Sequence, residues 1–126
     1  MEALVRFGLV ALGGCLGSLA RYLLGDLLSR RLDSGFPWTT WIINVTGSFV
    51  LGLLVALVAD KTLDPRWRLF LGIGFCGAYT TFSTFELETQ ALVADGQWLR
   101  ALGNVVLSVG VGFGALLLGM ALGKKL

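Results

Sequence analysis

The chain has no histidine, only two cysteines and two prolines, and few charges: 14% of its 126 residues are Asp, Glu, Lys or Arg. Without histidine the usual zinc ligand and the commonest general base are missing, and a proton relay built on imidazole has no residue to use. Cys15 and Cys76 lie inside apolar segments, without the partners a disulfide or metal site needs, and read as small buried hydrophobes. No nucleophile, base and orienting group converge in the sequence, so it does not read as an enzyme. Ten Lys/Arg against eight Asp/Glu leave a net charge of +2 with no basic tract, which argues against nucleic-acid binding.

The 56% hydrophobic content and a mean hydropathy of +0.80 fill the place of the missing charge. Soluble domains carry about 25% charged residues, so the solvent for this chain is lipid. Crossing a ~30 Å hydrocarbon core takes roughly 20 helical residues. Four apolar stretches fit, over about 3–24, 38–59, 67–94 and 98–122, and nearly exhaust the length. The expected architecture is therefore an all-α membrane protein of four spans forming a single domain over 1–126. Ser18-Leu19-Ala20 in the first span imitates a signal-peptide cleavage site, but the apolar run is long and favours a retained helix. Trp38, Trp41, Trp67 and Trp98 all fall at span starts, where an amphipathic ring prefers the headgroup layer.

Orientation follows the Lys/Arg asymmetry of short loops. Here Arg6, Lys61, Arg66, Arg68, Lys124 and Lys125 on one side face Arg21, Arg30, Arg31 and Arg100 on the other, a six-to-four balance. So weak a bias permits insertion both ways and pairing with an inverted copy. Small residues four apart, at Gly13 and Gly17, Ser48 and Gly52, and Gly110 and Gly114, predict close helix packing.

Polar residues inside the spans carry the functional signal. Thr40, Asn44 and Ser48 repeat every four positions in the second span, and Asn104 and Ser108, followed by Gly112, do so in the fourth. An unpaired amide in hydrocarbon costs several kcal/mol, so each row must face protein or a wet cavity. Interhelical hydrogen bonds and a lined pathway both satisfy that requirement. In the third span, Gly72, Gly74 and Gly77 precede Thr80, Thr81, Ser83 and Thr84, a composition that predicts a helix broken at mid-membrane. Ser83 with Glu86 three residues on matches a capping box, placing the start of a second half-helix near Ser83. The ends of broken helices offer carbonyls to cations and N–H groups to anions. Phe82 and Phe85 share a face of that half-helix; they suit a core, and their electropositive ring edges also suit an anion.

Three segments together resemble a known family. Gly14-Cys15-Leu16-Gly17-Ser18-Leu19-Ala20-Arg21-Tyr22, Asn44-Val45-Thr46-Gly47-Ser48-Phe49, and the run from Gly74 to Phe85 look like the Fluc (CrcB) fluoride ion channels. The third motif is long and unusual in residue type, and the likeness spans almost the whole chain. The resemblance implies a four-helix protomer in an antiparallel, dual-topology homodimer with two fluoride pores, passively exporting fluoride across a bacterial or archaeal inner membrane. It implies that Phe82 and Phe85 are pore phenylalanines, that Asn44 is a vestibule amide, and that Ser83, Thr84 and Ser108 form a polar track. Gly77 and Thr80 would offer backbone carbonyls to a structural sodium ion at the dimer interface. Arg21 matches the family's first-span arginine and Glu88 the carboxylate after the phenylalanines. Asn104 is drawn in only by its polarity and its helical phase with Ser108. Ala78 departs from the family pattern, where many relatives carry a second glycine.

The rival reading is a small proton-coupled exporter, which needs a membrane-embedded carboxylate. Glu86 and Glu88 are its candidates, since Glu2 and Asp26 only flank the first span. A non-conducting scaffold would leave the buried hydroxyl rows unexplained.

Overall fold

The computed structural model describes residues 1–32 and 34–126, and their regular structure is entirely helical. Helix α1 covers Glu2–Ser29, α2 covers Trp38–Ala59, a π-helical segment π1 covers Arg68–Cys76, a single turn α3 covers Gly77–Tyr79, α4 covers Phe82–Ala94 and α5 covers Trp98–Gly123. Helices α1, α2 and α5 are each long and apolar enough to cross a membrane. At 1.5 Å per residue the 28 residues of α1 extend about 42 Å.

That length exceeds the expected end at Leu24. Gly25 does not stop the helix; in the turn beyond it Arg30 pairs with Asp26 at 2.8 Å and Ser29 Oγ donates to the Asp26 carbonyl at 3.1 Å. The chain then turns through Gly35, whose φ of +68° lies where a Cβ is disfavoured. Trp38 and Trp98 begin α2 and α5, and Trp67 immediately precedes π1, so aromatic rings mark the helix starts as expected. Phe36, Trp38 and Trp41 form a chain of ring contacts, with centroids 4.6 and 5.7 Å apart.

Glycine determines which helices meet. A Cβ on Gly13 would strike the Phe70 carbonyl and one on Gly17 the Phe75 carbonyl, while one on Gly74 would lie 2.7 Å from the Val10 carbonyl, so α1 lies backbone-to-backbone on π1. Gly52 meets the Leu116 carbonyl and Gly119 the Phe49 carbonyl, which binds α2 to α5 in the same way. Two of the three expected small-residue pairs therefore include glycines at close contacts. The third does not: Gly110 and Gly114 have open space around them, and α5 uses Gly112, Gly119 and Gly123 instead. Spacing identifies a close-packing stripe but leaves open which of two glycine stripes on one helix faces the neighbour.

The interior is small, with Ile43, Leu54, Cys76, Tyr79, Phe85 and Leu92 as its larger apolar members. Large apolar side chains instead cover the outside of α1 (Leu4, Phe7, Leu12, Leu19, Leu23) and of α5 (Leu102, Val106, Phe113, Leu118). This arrangement suits hydrocarbon as solvent. Cys76 is buried as expected, whereas Cys15 is exposed on α1, on the side away from Gly13 and Gly17.

Candidate functional site

Between α3 and α4 the backbone leaves the helix at two residues only. Thr80 (φ −78°, ψ 156°) and Thr81 (φ −146°, ψ 115°) are extended, so the expected break is present and lies just after the glycines. Breaking the ladder removes the partners of several backbone groups, and in an apolar setting each must find a substitute. Asn44 supplies two. Its Oδ1 accepts from the Thr81 N–H at 2.7 Å and its Nδ2 donates to the Thr81 carbonyl at 3.0 Å. One side-chain amide thus acts as a peptide group and splints the break from α2. An amide nitrogen has two hydrogens, so one donor of Asn44 remains after the splint.

The neighbouring glycine makes room for this. A Cβ at Gly47, one turn on from Asn44, would collide with the Thr80 Cγ2 and approach the Tyr79 ring to 3.0 Å. Tyr79 in turn hydrogen-bonds Thr46 through its hydroxyl at 3.0 Å. On the other side of the break Arg21 Nη1 donates to the Thr80 carbonyl at 3.5 Å.

Helix α4 is capped differently from the expectation. Thr81 is the N-cap: its Oγ1 accepts from the Thr84 N–H at 3.3 Å and donates to Thr84 Oγ1 at 2.9 Å. Ser83 lies inside the first turn, and neither its side chain nor that of Glu86 makes a hydrogen bond among the described residues. The expected Ser83–Glu86 box is therefore replaced by a Thr81–Thr84 pair. An N-cap needs extended backbone, which Thr81 has and a residue inside the helix does not.

Lower down, Thr40 Oγ1 donates to Glu88 Oε1 at 2.7 Å, tying α2 to α4, while Glu88 Oε2 is buried with no partner among the described residues. Asn104, 1% exposed, donates to Thr89 Oγ1 at 2.9 Å and accepts from Ser108 Oγ at 3.3 Å. The two polar rows consequently serve as interhelical fasteners at Thr40, Asn44 and Asn104.

Above these fasteners a cleft of about 310 Å³ opens beside the break. Its polar lining includes Asn44, Ser48, Thr80, Thr81 and Ser108; Gly77, Phe82 and Phe85 also line it. Phe85 is 9% exposed, whereas Phe82 is 70% exposed, their ring centroids being 5.6 Å apart. Six of the twelve expected site residues thus meet in one place: Asn44, Gly77, Thr80, Phe82, Phe85 and Ser108. Arg21, Ser83, Thr84, Glu86, Glu88 and Asn104 do not line this cleft: Arg21 reaches the Thr80 carbonyl from α1, Ser83, Thr84 and Glu86 lie on the exposed side of α4, and Glu88 and Asn104 are in the fasteners below. The sequence alone assigns no individual role to Thr81 or Gly47. The visible signal for Thr81 is a hydroxyl pair three residues apart after the glycines, and that for Gly47 is a glycine one turn from Asn44.

The carbonyls expected to face a cation flank the break. Thr81 N–H, which would close the helical bond to Gly77, goes to Asn44, leaving the Gly77 carbonyl without its ladder partner. The Thr80 carbonyl sits in extended backbone, with Arg21 at hydrogen-bonding limit. Two oxygens of this kind suit a hard cation but do not complete its shell.

Comparison with known proteins adds an independent line. A family described as "CrcB-like protein, Camphor Resistance (CrcB)" matches residues 8–120. A protein of Solibacter usitatus is 44% identical over 122 residues, covering 96% of this chain and 100% of its own length. One from Thermus thermophilus is 45% identical over 121 residues, covering 96% and 97%. One from a Sulfurihydrogenibium species is 40% identical over 122 residues, covering 96% and 98%. Each of the three relatives bears the name fluoride-specific ion channel FluC.

Proposed function

The chain belongs to the CrcB family, and from that premise we propose that it is a fluoride-selective channel that lets fluoride leave the cell passively, down its electrochemical gradient. The activity is that of an ion channel in a multi-pass membrane protein and is not enzymatic. The observation that carries the reading is the cleft beside the splinted break. It collects a spare Asn44 donor, the Ser48 and Ser108 hydroxyls, the first turn of α4 and the Phe82 ring in one place. Helix N-termini and phenyl edges are both weakly electropositive. A small anion, whose desolvation costs of order 20 kcal/mol for a carboxylate-sized ion and more for a smaller one, needs many such contacts and no single strong trap. Phe82 and Phe85 then act as edge-on contacts and Asn44 as a vestibule donor, with Ser108 in a polar track that Ser83 and Thr84 continue outside the cleft, on the exposed side of α4.

In the same reading the broken run from Arg68 to Ala94 is a fourth pass, and two antiparallel protomers form a dual-topology homodimer with two pores. The balanced Lys/Arg distribution supports that arrangement. A second copy would double the Gly77 and Thr80 carbonyls to four, which fits a sodium ion at the interface as a structural cation holding like dipoles together. The host membrane in this reading is a bacterial or archaeal inner membrane.

The test is fluoride efflux from proteoliposomes, followed with a fluoride electrode beside chloride at matched gradients, with valinomycin clamping the voltage. Fast fluoride release with chloride retained and no pH gradient needed is the expected result. Release only under a proton gradient would instead favour the exporter reading, for which the unpartnered Glu88 Oε2 is the available proton site.

A further inference from the structure

Far from the cleft, at the end of the molecule where α1 begins and π1 starts, a groove of about 950 Å³ lies between the two helices. One wall is apolar, formed by Val5, Leu9, Leu69 and Ile73, and Ile73 is 55% exposed. At the mouth stand Arg6, Arg66 and Arg68, all exposed. Among the described residues none of the three guanidinium groups has a hydrogen-bond or ion-pair partner. Two carboxylates, Glu2 and Asp64, line the same groove, and Asp64 is engaged by the Arg66 backbone N–H at 2.7 Å. Three cations against two acids leave the groove positive, and no ion pair joins them among the described residues.

Three arginines held apart from available carboxylates above an apolar slot match one chemistry. We propose that this groove binds an anionic phospholipid, with its phosphodiester on Arg6, Arg66 and Arg68 and an acyl chain along Val5, Leu9, Leu69 and Ile73. Guanidinium suits phosphate oxygens because its planar fork donates two parallel hydrogen bonds. Position supports the assignment too. Trp67, 45% exposed, lies between two of the arginines and marks the headgroup layer, while the apolar wall runs from there toward the buried part of α1 and π1. Basic pockets between membrane helices bind anionic headgroups in this manner.

The test is native mass spectrometry of the protein released from mixed bilayers of phosphatidylglycerol and phosphatidylcholine. Retention of phosphatidylglycerol over phosphatidylcholine by about tenfold or more supports the proposal. The preference should vanish in R6Q/R66Q/R68Q and fall only in part in R6K/R66K/R68K, which keeps the charge but loses the planar fork. Equal retention of both lipids by the wild type overturns the proposal without any variant. So does loss of the bound lipid to an equal concentration of inorganic phosphate, which would mark a plain anion site. A change of oligomeric state in R6Q/R66Q/R68Q with no lipid preference in the wild type would make a second copy the occupant. Fluoride efflux should persist in both triple variants, so a failure here is separable from a failure of the channel reading.

Discussion

Asn44 does two things with one amide, and the two can be separated by substitution. Asn44→Ala leaves the Thr81 N–H and carbonyl both unpaired in an apolar setting, at a cost of roughly 1–3 kcal/mol. Thermal unfolding in detergent should show the loss, and fluoride efflux should fall at least tenfold. Asn44→Asp keeps the acceptor, loses the donor and brings a negative charge to the cleft, so efflux should fall further than stability does. The phenylalanines divide differently. Phe82 is exposed, and Phe82→Ile should cut efflux sharply with an unchanged unfolding midpoint; unaltered efflux would remove Phe82 from the pathway. Phe85 is buried, and Phe85→Ala should cost roughly 3 kcal/mol or more, so its effect on efflux is inseparable from its effect on packing.

At the scale of elements, the informative features are the start of α4 and the contact between α1 and π1. Thr81→Ala removes the cap and should destabilise by about 0.5–2 kcal/mol, while Thr81→Ser retains the hydroxyl and should stay close to wild type. Hydrogen exchange at the Thr84 amide reads this directly, and equal protection in both variants would deny Thr81 the capping role. The break itself was legible from the sequence as a run of glycines and hydroxyl residues. The cap was not, because capping depends on which residue has extended backbone, and that is decided by the Asn44 splint on another helix. The glycines make the same point. Gly13→Ala places a methyl against the Phe70 carbonyl and should cost roughly 1–3 kcal/mol. Gly110→Ala meets open space and should be within about 0.5 kcal/mol of neutral in the protomer, or stabilising through helix propensity. Thermal melts of the two variants side by side check both.

For the whole molecule, the exposed apolar coats of α1 and α5 and the nearly even Lys/Arg distribution bear on assembly and orientation. If protomers insert in both directions, Lys125→Cys in intact cells should be labelled by an impermeant thiol reagent to about half, rising to completion on permeabilisation; Cys15→Ala and Cys76→Ala in the same background remove competing thiols. Labelling that is all or none would defeat dual topology. Adding three lysines near the C-terminus should shift the labelled fraction, since a balanced chain is easily biased.

Composition alone determined the solvent, because too few charges remain to cover a surface in water, and tryptophan and apolar length then set three of the helices to within a few residues. The CrcB motifs pointed to Asn44, Phe82 and Phe85, and the wider resemblance to Ser83, Thr84 and Ser108; the fold brings Asn44, Phe82, Phe85 and Ser108 to one cleft and leaves Ser83 and Thr84 outside it. Only the tertiary structure decided how each is used. Thr40, Asn44 and Asn104 looked equivalent as polar residues at helical spacing, yet Asn104 is sealed between α4 and α5, Thr40 holds Glu88, and Asn44 alone faces both the break and the cleft. Helical periodicity assigns a residue to a face. What that face meets depends on which glycines let another backbone approach, and on which backbone groups the break leaves without partners.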